Sequence, residues 1–338
     1  MTQLPWYLSQ SDQELKKKFN FIQNEEDKRL REATTDLKNV SRWSLGVSIQ
    51  AKNDFRNRYV NIMPYERNRV HLNVLKGNDY VNASYVKVEV PHQSTSAGYY
   101  IATQGPTKNT WGQFWQMCYN ECPWDDIVIV MVTPLVEHGR EKCFPYWPLG
   151  LNNNDMTRII PSEQYPSGNE DDLSAFGQSL EVKYETSERF DDQYTLTTLK
   201  LIPRGEDKIS PTKTVHHFYF DQWRDMSKPQ EVIPIMELCQ HSHRLNSNGN
   251  PIVVHCSAGV GRSGTFIALD HLIHDTVDFH KKEGSLGLEP KIEYKKDLIE
   301  QIVLQLRSQR MKMVQMSDQF KFVYHAARYL YEVAGNDN

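Results

Sequence analysis

Cys256 and Arg262 are the residues of this chain whose types and spacing best suit chemistry. Five small or apolar residues separate them, two of which are glycine, and the apolar run 251–254 precedes them. Beyond Ser263 the apolar residues recur at helical spacing, which predicts a strand, a tight loop and a helix. The backbone N–H groups of such a loop can turn inward and bind an anion at the positive end of the helix dipole.

The same electrostatic field predicts a reactive thiol. Inward N–H groups and a nearby guanidinium lower a cysteine pKa, so we expect Cys256 to be a thiolate nucleophile at neutral pH. The planar fork of Arg262 suits two-point contact with a phosphate group. A nucleophile within a phosphate cradle predicts covalent phosphoryl transfer. The alternative, an ordinary buried thiol, is disfavoured because the string 255–264 meets many constraints within ten residues.

The string His-Cys-Ser-Ala-Gly-Val-Gly-Arg-Ser-Gly at 255–264 resembles the signature loop of the protein-tyrosine phosphatases. The resemblance extends from about residue 20 to 333, and it is strongest to the small soluble, non-receptor enzymes of budding yeasts. It implies hydrolysis of phosphotyrosine through a cysteinyl-phosphate, with no metal or other cofactor. The residues that it implies surround the substrate phosphate are Ser257, Ala258, Gly259, Val260, Gly261 and Arg262.

Segment 217–225 resembles the mobile acid loop of that family, in which a tryptophan hinge precedes a general-acid aspartate. By this match Trp223 is the hinge, and Asp225 contacts the substrate and protonates the leaving tyrosyl oxygen, a step that typically contributes about 10²–10⁴-fold. The family usually has proline between these two residues, whereas this chain has Arg224. Loss of the fixed proline φ is expected to shift the balance between open and closed loop and to leave catalysis intact.

Further matches concern the depth of the pocket and the second chemical step. Tyr59 matches the tyrosine that stacks on the substrate ring, which implies a pocket too deep for phosphoserine, and Asn61 is expected to hold the substrate backbone. The resemblance assigns Gln319 to placing the attacking water. It assigns Gln315 to water control and substrate shielding. Met316 stands where relatives carry threonine, so the hydrogen bonding of this loop is in question.

Supporting roles follow from the same resemblance. Ser263 is expected to donate a hydrogen bond to the Cys256 sulfur as it leaves, and His255 is expected to tune the thiolate through backbone hydrogen bonds. Glu137 matches a carboxylate that orients the signature arginine, and Lys142 matches a lysine that meets the closed acid loop. An alternative for the last two is that they are plain surface charges.

Arg307 and Met311 match family positions beside the pocket. Some animal relatives have a glycine near these positions, where this chain has Lys312. In those relatives the glycine opens a second aryl-phosphate site. We therefore expect the second site to be blocked or altered in this chain.

The composition limits the class of protein. A net charge of -4 over 338 residues gives no general basic field for nucleic acid or an anionic membrane. The five cysteines form no C-x-x-C pair and the histidines do not cluster, which indicates a reduced, intracellular protein without structural zinc. Since neither a signal peptide nor a long apolar run is evident, we expect a cytoplasmic monomer, with a nuclear pool left open.

The predicted fold is α/β: a single domain with a highly twisted mixed β-sheet flanked by helices on both faces. A helical segment at 1–35 is expected to pack on a catalytic domain at 36–335, in which 148–178 forms an expanded surface loop without catalytic role. Ser317 is the expected N-cap of the last helix. Strands are predicted at 80–88, 99–103, 127–132, 179–184, 194–202 and 215–220, and helices at 110–122, 230–245, 264–281, 296–309 and 317–333.

Two other functions stay open at this level. A dual-specificity or lipid phosphatase shares the cysteine–arginine loop, and the match around Tyr59 argues against it. A catalytically weak phosphotyrosine-binding module is suggested only by Arg224 and Met316. Under each of the protein-directed hypotheses the partners are tyrosine-phosphorylated proteins, with kinases of signalling pathways as the expected group.

Overall fold

A nine-stranded mixed sheet forms the centre of the fold. The computed structural model describes residues 4–36, 38, 40–205, 210–223, 232–279 and 296–336. Its strands are β1 (Arg69–His71), β2 (Val74–Gly77), β3 (Tyr80–Val88), β4 (Gly98–Thr103), β5 (Asp126–Met131), β6 (Val136–Glu137), β7 (Arg140–Glu141), β8 (Thr157–Ile160), β9 (Glu163–Gln164), β10 (Ser174–Phe176), β11 (Ser179–Phe190), β12 (Tyr194–Arg204), β13 (Lys213–Phe220) and β14 (Ile252–His255). The nine strands of the central sheet lie in the order β1-β3-β4-β14-β5-β13-β12-β11-β8.

Helices cover both faces of this sheet. They are α1 (Asp12–Thr35), α2 (Trp111–Glu121), α3 (Val232–Leu245), α4 (Gly261–Asp275), α5 (Leu298–Gln309) and α6 (Ser317–Asn336). Successive side chains of a strand point to opposite faces. Accordingly, Ile127 and Ile129 of β5 pack with α2, whereas Val128 and Val130 pack with the other helices. The predicted α/β architecture is therefore confirmed.

The central strands bring three loops to one edge of the sheet. β14 pairs in parallel with β4 and β5, and β5 pairs in parallel with β13. The carboxyl ends of parallel strands meet at the same edge, which is where ligands bind in open α/β sheets. The segments that follow Thr103, Phe220 and His255 therefore converge there.

The first long helix begins with a reciprocal cap. The Ser11 hydroxyl accepts a hydrogen bond from the Glu14 N–H, and the Glu14 carboxylate accepts one from the Ser11 N–H. This pairing satisfies two backbone donors that the first turn leaves free. Leu15 and Ile22 are buried, and the helix contacts α5 and α6.

Most sequence-predicted elements are present, with differences at their ends. β3 has its predicted bounds, and β11 and β12 continue beyond theirs into one long hairpin. The helix predicted at 264–281 instead begins at Gly261 and ends at Asp275, and residues 280–281 lie outside the described part. Ser317 was expected to be the N-cap that precedes α6, but it is the first residue of the helix itself. No helix among the described residues is long and apolar enough to cross a membrane.

The prediction of a surface loop at 148–178 is wrong. β8 extends the main sheet by pairing with β11, and β9 and β10 form a three-stranded sheet with β2. Ile160 and Phe176 are buried, and Asp172 forms a buried ion pair with Arg56. The strands in this segment are short and joined by polar turns, so they contain too few apolar residues to show the alternation typical of a strand. Pairing with strands distant in sequence stabilises them.

Candidate active site

The loop between β14 and α4 wraps around the Cys256 sulfur. Cys256 is 5% exposed, and the Gly259 N–H points at its Sγ at 3.3 Å. Gly259 has a φ of +75°, and a Cβ there would stand 2.0 Å from the Thr103 carbonyl oxygen. Only glycine fits this position, because the left-handed conformation and the close approach to β4 both exclude a side chain.

The surroundings of Cys256 lower the pKa of its thiol. Burial by itself raises the pKa, but the Ser263 hydroxyl and the N–H groups of Ser263, Val260 and Gly259 near the sulfur outweigh that effect. The buried Ser263 hydroxyl makes no hydrogen bond of normal geometry with any described residue, so it remains available to donate to the sulfur. A lower pKa raises the fraction of Cys256 that is thiolate, and the thiolate is the nucleophilic form of cysteine.

Arg262 is oriented by a carboxylate, as the resemblance predicts. Its Nη2 donates to Glu137 Oε1 at 2.7 Å, and Lys142 Nζ lies 3.8 Å from the other oxygen of Glu137. The short β6–β7 hairpin presents Glu137, and its partner strand leads directly to Lys142. With one edge held by Glu137, the guanidinium faces the cleft in a fixed orientation.

A cleft of about 340 Å³ opens above the sulfur. It is lined by Tyr59, Asn61, Ile62, Thr133, Glu137, Lys142, Cys256, Ser257, Ala258, Gly261, Arg262, Gln315 and Gln319. Eleven of these thirteen are sequence-predicted site residues, and only Ile62 and Thr133 are additions. Residues far apart in sequence thus meet around the Cys256 sulfur.

The tyrosine wall of the cleft is fixed to the signature loop. The Tyr59 hydroxyl and the Ser257 hydroxyl are 2.8 Å apart. Hydrogen bonds also fix the neighbouring Arg58. Its backbone N–H donates to Gln104 Oε1 at 2.8 Å, and its guanidinium donates to the Gly105 carbonyl oxygen at 2.8 Å. The segment after β4 therefore sets how far Tyr59 stands from Cys256.

Gln319 enters the cleft from the first turn of α6. Its side-chain oxygen accepts a hydrogen bond from the Met316 N–H at 3.1 Å. The Met316 side chain is exposed, and the hydrogen bond to Gln319 comes from the Met316 backbone. This contact therefore does not depend on having threonine at position 316. Gly264 allows α4 to approach this region closely, since a Cβ there would stand 2.5 Å from the Val314 nitrogen.

His255 is buried behind the loop in a hydrogen-bond chain. Its Nδ1 lies 2.9 Å from the Cys256 carbonyl oxygen, and its Nε2 lies 2.7 Å from the Tyr146 hydroxyl, which also contacts His217 Nε2 at 2.8 Å. Burial lowers the pKa of His255 to about 4. The neutral ring therefore donates from Nδ1 to the carbonyl and fixes the backbone at Cys256.

The acid loop is described only in part. Trp223 is buried and packs edge-on against Phe220, with ring centroids 6.2 Å apart. Asp225 and Arg224 lie outside the described residues. The general-acid role of Asp225 thus stays a prediction from the sequence.

Arg310 is a supporting residue that the sequence reasoning missed. It is fully buried, and it donates Nε to the Gly259 carbonyl at 3.0 Å and Nη2 to the Ala258 carbonyl at 3.1 Å. Nη2 also donates to Asn82 Oδ1 at 2.8 Å. Binding these carbonyls from outside turns the opposite N–H groups toward the sulfur. No local motif marks Arg310, because its partners come from distant segments.

The region of the expected second site is occupied by ion pairing. Arg307 is fully buried and contacts Glu26 of α1 at 3.2 Å. The Lys312 N–H donates to the other oxygen of Glu26 at 2.8 Å. Burial raises the pKa of Glu26, and the nearby charge of Arg307 opposes that rise. Closure of a second aryl-phosphate site stays a prediction.

The family model described as Protein-tyrosine phosphatase matches residues 53–329. The chain belongs to the protein-tyrosine phosphatase family. It is 62% identical over 341 residues to Tyrosine-protein phosphatase 1 of Saccharomyces cerevisiae, covering 99% of this chain and 100% of that protein. It is 34% identical over 290 residues to Tyrosine-protein phosphatase 1 of Schizosaccharomyces pombe, covering 84% of this chain and 46% of that protein.

A receptor-type member of the family is also similar. Receptor-type tyrosine-protein phosphatase zeta of Homo sapiens is 34% identical over 280 residues, which is 80% of this chain and 10% of that protein. The chain therefore spans only part of the length of the Schizosaccharomyces pombe and Homo sapiens relatives. The match to the Saccharomyces cerevisiae protein, by contrast, covers both chains almost from end to end.

Proposed function

We propose that this chain hydrolyses phosphotyrosine in proteins through a cysteinyl-phosphate intermediate. The observation that supports this most is the Cys256 sulfur, which lies at the bottom of the cleft with a lowered pKa and with N–H groups directed at it. Membership of the family and the end-to-end similarity to a tyrosine-protein phosphatase agree with that chemistry.

In the first step the Cys256 sulfur forms a bond to phosphorus, and the bond from phosphorus to the tyrosyl oxygen breaks. The loop N–H groups from Ser257 to Arg262 and the Arg262 guanidinium stabilise the charge on the equatorial oxygens. Asp225 gives its proton to the departing oxygen, which leaves as neutral tyrosine.

In the second step water attacks phosphorus and the sulfur–phosphorus bond breaks. Gln319 positions the water and Asp225 takes its proton, while Gln315 shields the intermediate. The buried Ser263 hydroxyl donates to the departing Cys256 sulfur, which leaves as a thiolate because its pKa is already low. Inorganic phosphate is released and the thiolate is restored.

Substrate choice is assigned to the depth of the cleft. Tyr59 packs against the phenyl ring of phosphotyrosine and Asn61 holds the substrate backbone, so that a phosphoserine side chain is too short to reach the sulfur. We further assign Trp223 to hinging the acid loop, Glu137 to orienting Arg262, and Lys142 to receiving the closed loop. The substrates are tyrosine-phosphorylated proteins, and kinases of signalling pathways are the proposed group.

The remaining assignments concern the chain as a whole. All five cysteines are free and buried, which fits a reducing, cytoplasmic environment, with a nuclear pool left open. We propose that 1–35 serves as a helical segment packed on a catalytic domain at 36–335. We also propose that the enzyme acts as a monomer.

The deciding experiment replaces the acid. Asp225→Ala should lower kcat on a phosphotyrosine peptide by about 10²–10⁴-fold and preserve peptide binding. Asp171→Ala is the matched control: Asp171 is exposed and does not line the cleft, so kcat should stay nearly unchanged. Cys256→Ser should abolish turnover.

Each alternative has its own result in the same assay. Equal turnover of matched phosphoserine and phosphotyrosine peptides would favour a dual-specificity phosphatase. Peptide binding without turnover, unaffected by Asp225→Ala, would favour a phosphotyrosine-binding module. Either result would overturn the proposed function.

A further inference from the structure

Two histidines that are distant in sequence meet beside a buried carboxylate on the side of α4 that faces α3. His243 Nδ1 lies 3.7 Å from Asp270 Oδ2, and His274 Nε2 lies 3.6 Å from Asp270 Oδ1. One ligand atom of each residue lies within 4.8 Å of the other two. The two imidazole rings are stacked, with centroids 3.8 Å apart. Sequence spacing gave no sign of this cluster.

The buried carboxylate of Asp270 has only a few polar partners. Asp270 is fully buried; its Oδ2 accepts a hydrogen bond from the Tyr100 hydroxyl at 2.7 Å, and its Oδ1 has no hydrogen-bond partner. Within the described part of the chain no lysine or arginine pairs with it, and its only basic neighbours are the two imidazoles. Buried carboxylates are normally paired or bound to a metal.

We propose that His243, Asp270 and His274 form a binding site for one divalent transition-metal ion, of which Zn²⁺ is the best fit. Two imidazole nitrogens and one carboxylate oxygen are ligands that zinc prefers. Ligands at about 2.0–2.1 Å from a tetrahedral ion stand about 3.4 Å apart. The observed separations of 3.6 and 3.7 Å run to different oxygens of Asp270, and one ligand atom of each residue lies within 4.8 Å of the others, so small side-chain rotations would bring the three ligands to that spacing. Water completes the coordination.

Binding requires small local changes that the structure permits. His243 is 42% exposed, so its ring can turn out of the stack and direct Nδ1 at the ion. His274 Nε2 lies 3.3 Å from the Cys239 carbonyl oxygen, a long contact that the ion would replace. Burial lowers the pKa of His243, but the hydrogen bond and the charge of Asp270 raise it more. Zinc binds the unprotonated imidazole, so a proton held by His243 would be released into solvent on binding.

The ion would join the two helices that follow the functional loops. α3 begins directly after the segment that contains Trp223 and Asp225, and α4 begins at the signature loop. The site lies toward the far end of both helices, so it is separate from the Cys256 cleft. This inference does not depend on phosphatase activity.

The test is zinc titration by calorimetry on the full chain carrying Cys256→Ser, which removes the thiolate as a competing ligand. One saturable site is expected, with proton release that varies with the ionisation heat of the buffer. His243→Asn and His274→Asn should each weaken binding by at least about 10-fold. His325→Asn is the matched control, since His325 also lies near a carboxylate, Asp12 at 3.8 Å, and no third ligand joins that pair within the described part of the chain.

Two further measurements complete the test. Co²⁺ bound at the site should give visible absorption bands that both histidine variants abolish, and Asp270→Asn should behave likewise. If Asp270→Asn does not fold, the two histidine variants decide. The proposal is overturned if zinc shows no saturable binding, or binds equally well to both histidine variants. If the cluster binds only a proton, zinc will show no saturable binding. In that case zinc will also leave the pH titration of the His243 ring, followed by NMR, unchanged.

Discussion

Asp172→Ala should destabilise the protein by about 3–5 kcal/mol, because it leaves a buried arginine without its counter-charge. Arg56 is fully buried, and its Nε and Nη2 donate to Asp172 Oδ1 at 2.9 and 2.7 Å. Its other acceptors are the carbonyl oxygens of Tyr80 and of Asp172, at 3.0 and 3.1 Å. Carbonyls satisfy N–H groups but do not neutralise the charge. Burial lowers the pKa of Arg56, and the Asp172 charge opposes that effect.

The expected loss converts into a measurable shift of the melting temperature. An unfolding entropy of about 2.1 cal/mol/K per residue, applied to 338 residues, turns that loss into a fall of about 4–7 °C in Tm. The kinetics should change as well. Arg56 ends the 3₁₀-helix that leads into Asn57 and Tyr59, so KM for a phosphotyrosine peptide should rise more than kcat falls.

The assay is thermal unfolding followed by circular dichroism, with Asp171→Ala as the control. Asp171 precedes Asp172 in the same 3₁₀-helix, is exposed, and loses the same charge on substitution. Surface substitutions usually change stability by less than about 0.5 kcal/mol, or under about 1 °C here. If both variants melt within about 1 °C of each other, the ion pair does not hold the segment and the reasoning fails.

Three further predictions concern the site. Glu137→Gln weakens a charge-assisted bond to Arg262 worth about 1.5–3 kcal/mol, so kcat/KM for a phosphotyrosine peptide should fall by about 10–100-fold; an unchanged kcat/KM would contradict the orienting role. Alkylation of Cys256 by iodoacetamide should show a midpoint below the usual thiol value, because its pKa is lowered; a midpoint at or above 9.0 would refute the thiolate. His255 has a pKa of about 4 in the folded state and about 6.5 in the unfolded state, so below pH 6.5 the unfolded state takes up a proton that the folded state does not. The free energy of unfolding should therefore be highest above pH 6.5 and fall by about 3 kcal/mol as the pH drops to 4. Urea unfolding across that range checks the last prediction, and His255→Asn should remove that part of the pH dependence.

The signature loop was readable from the sequence because all its determinants are contiguous. A buried strand, two glycines, a cysteine, an arginine and a helix lie within residues 251–275. Gly259 must be glycine to turn the loop, and that constraint is local. Regular strands such as β3 were predictable for the same reason, since alternation of apolar side chains is a local pattern.

Segment 148–178 was misread because its order comes from distant partners. Its short strands pair with β2 and β11, and its one buried carboxylate pairs with Arg56, which is 116 positions away. Polar residues in a single sequence indicate a loop unless the partner that satisfies them is known. The same limit hid Arg310, whose acceptors lie in the signature loop and in β3.

The sequence by itself determined the class of fold and predicted a nucleophile and a phosphate-binding loop, because each of these depends on neighbours along the chain. Only the tertiary structure showed which residues pack behind that loop. Arg310 donates hydrogen bonds to its carbonyl oxygens, and the Tyr146 hydroxyl lies between two buried imidazole rings. It alone joined His243 to His274 across two helices. The physical reason is that a side chain's partner is set by the packing of elements, which local periodicity does not encode.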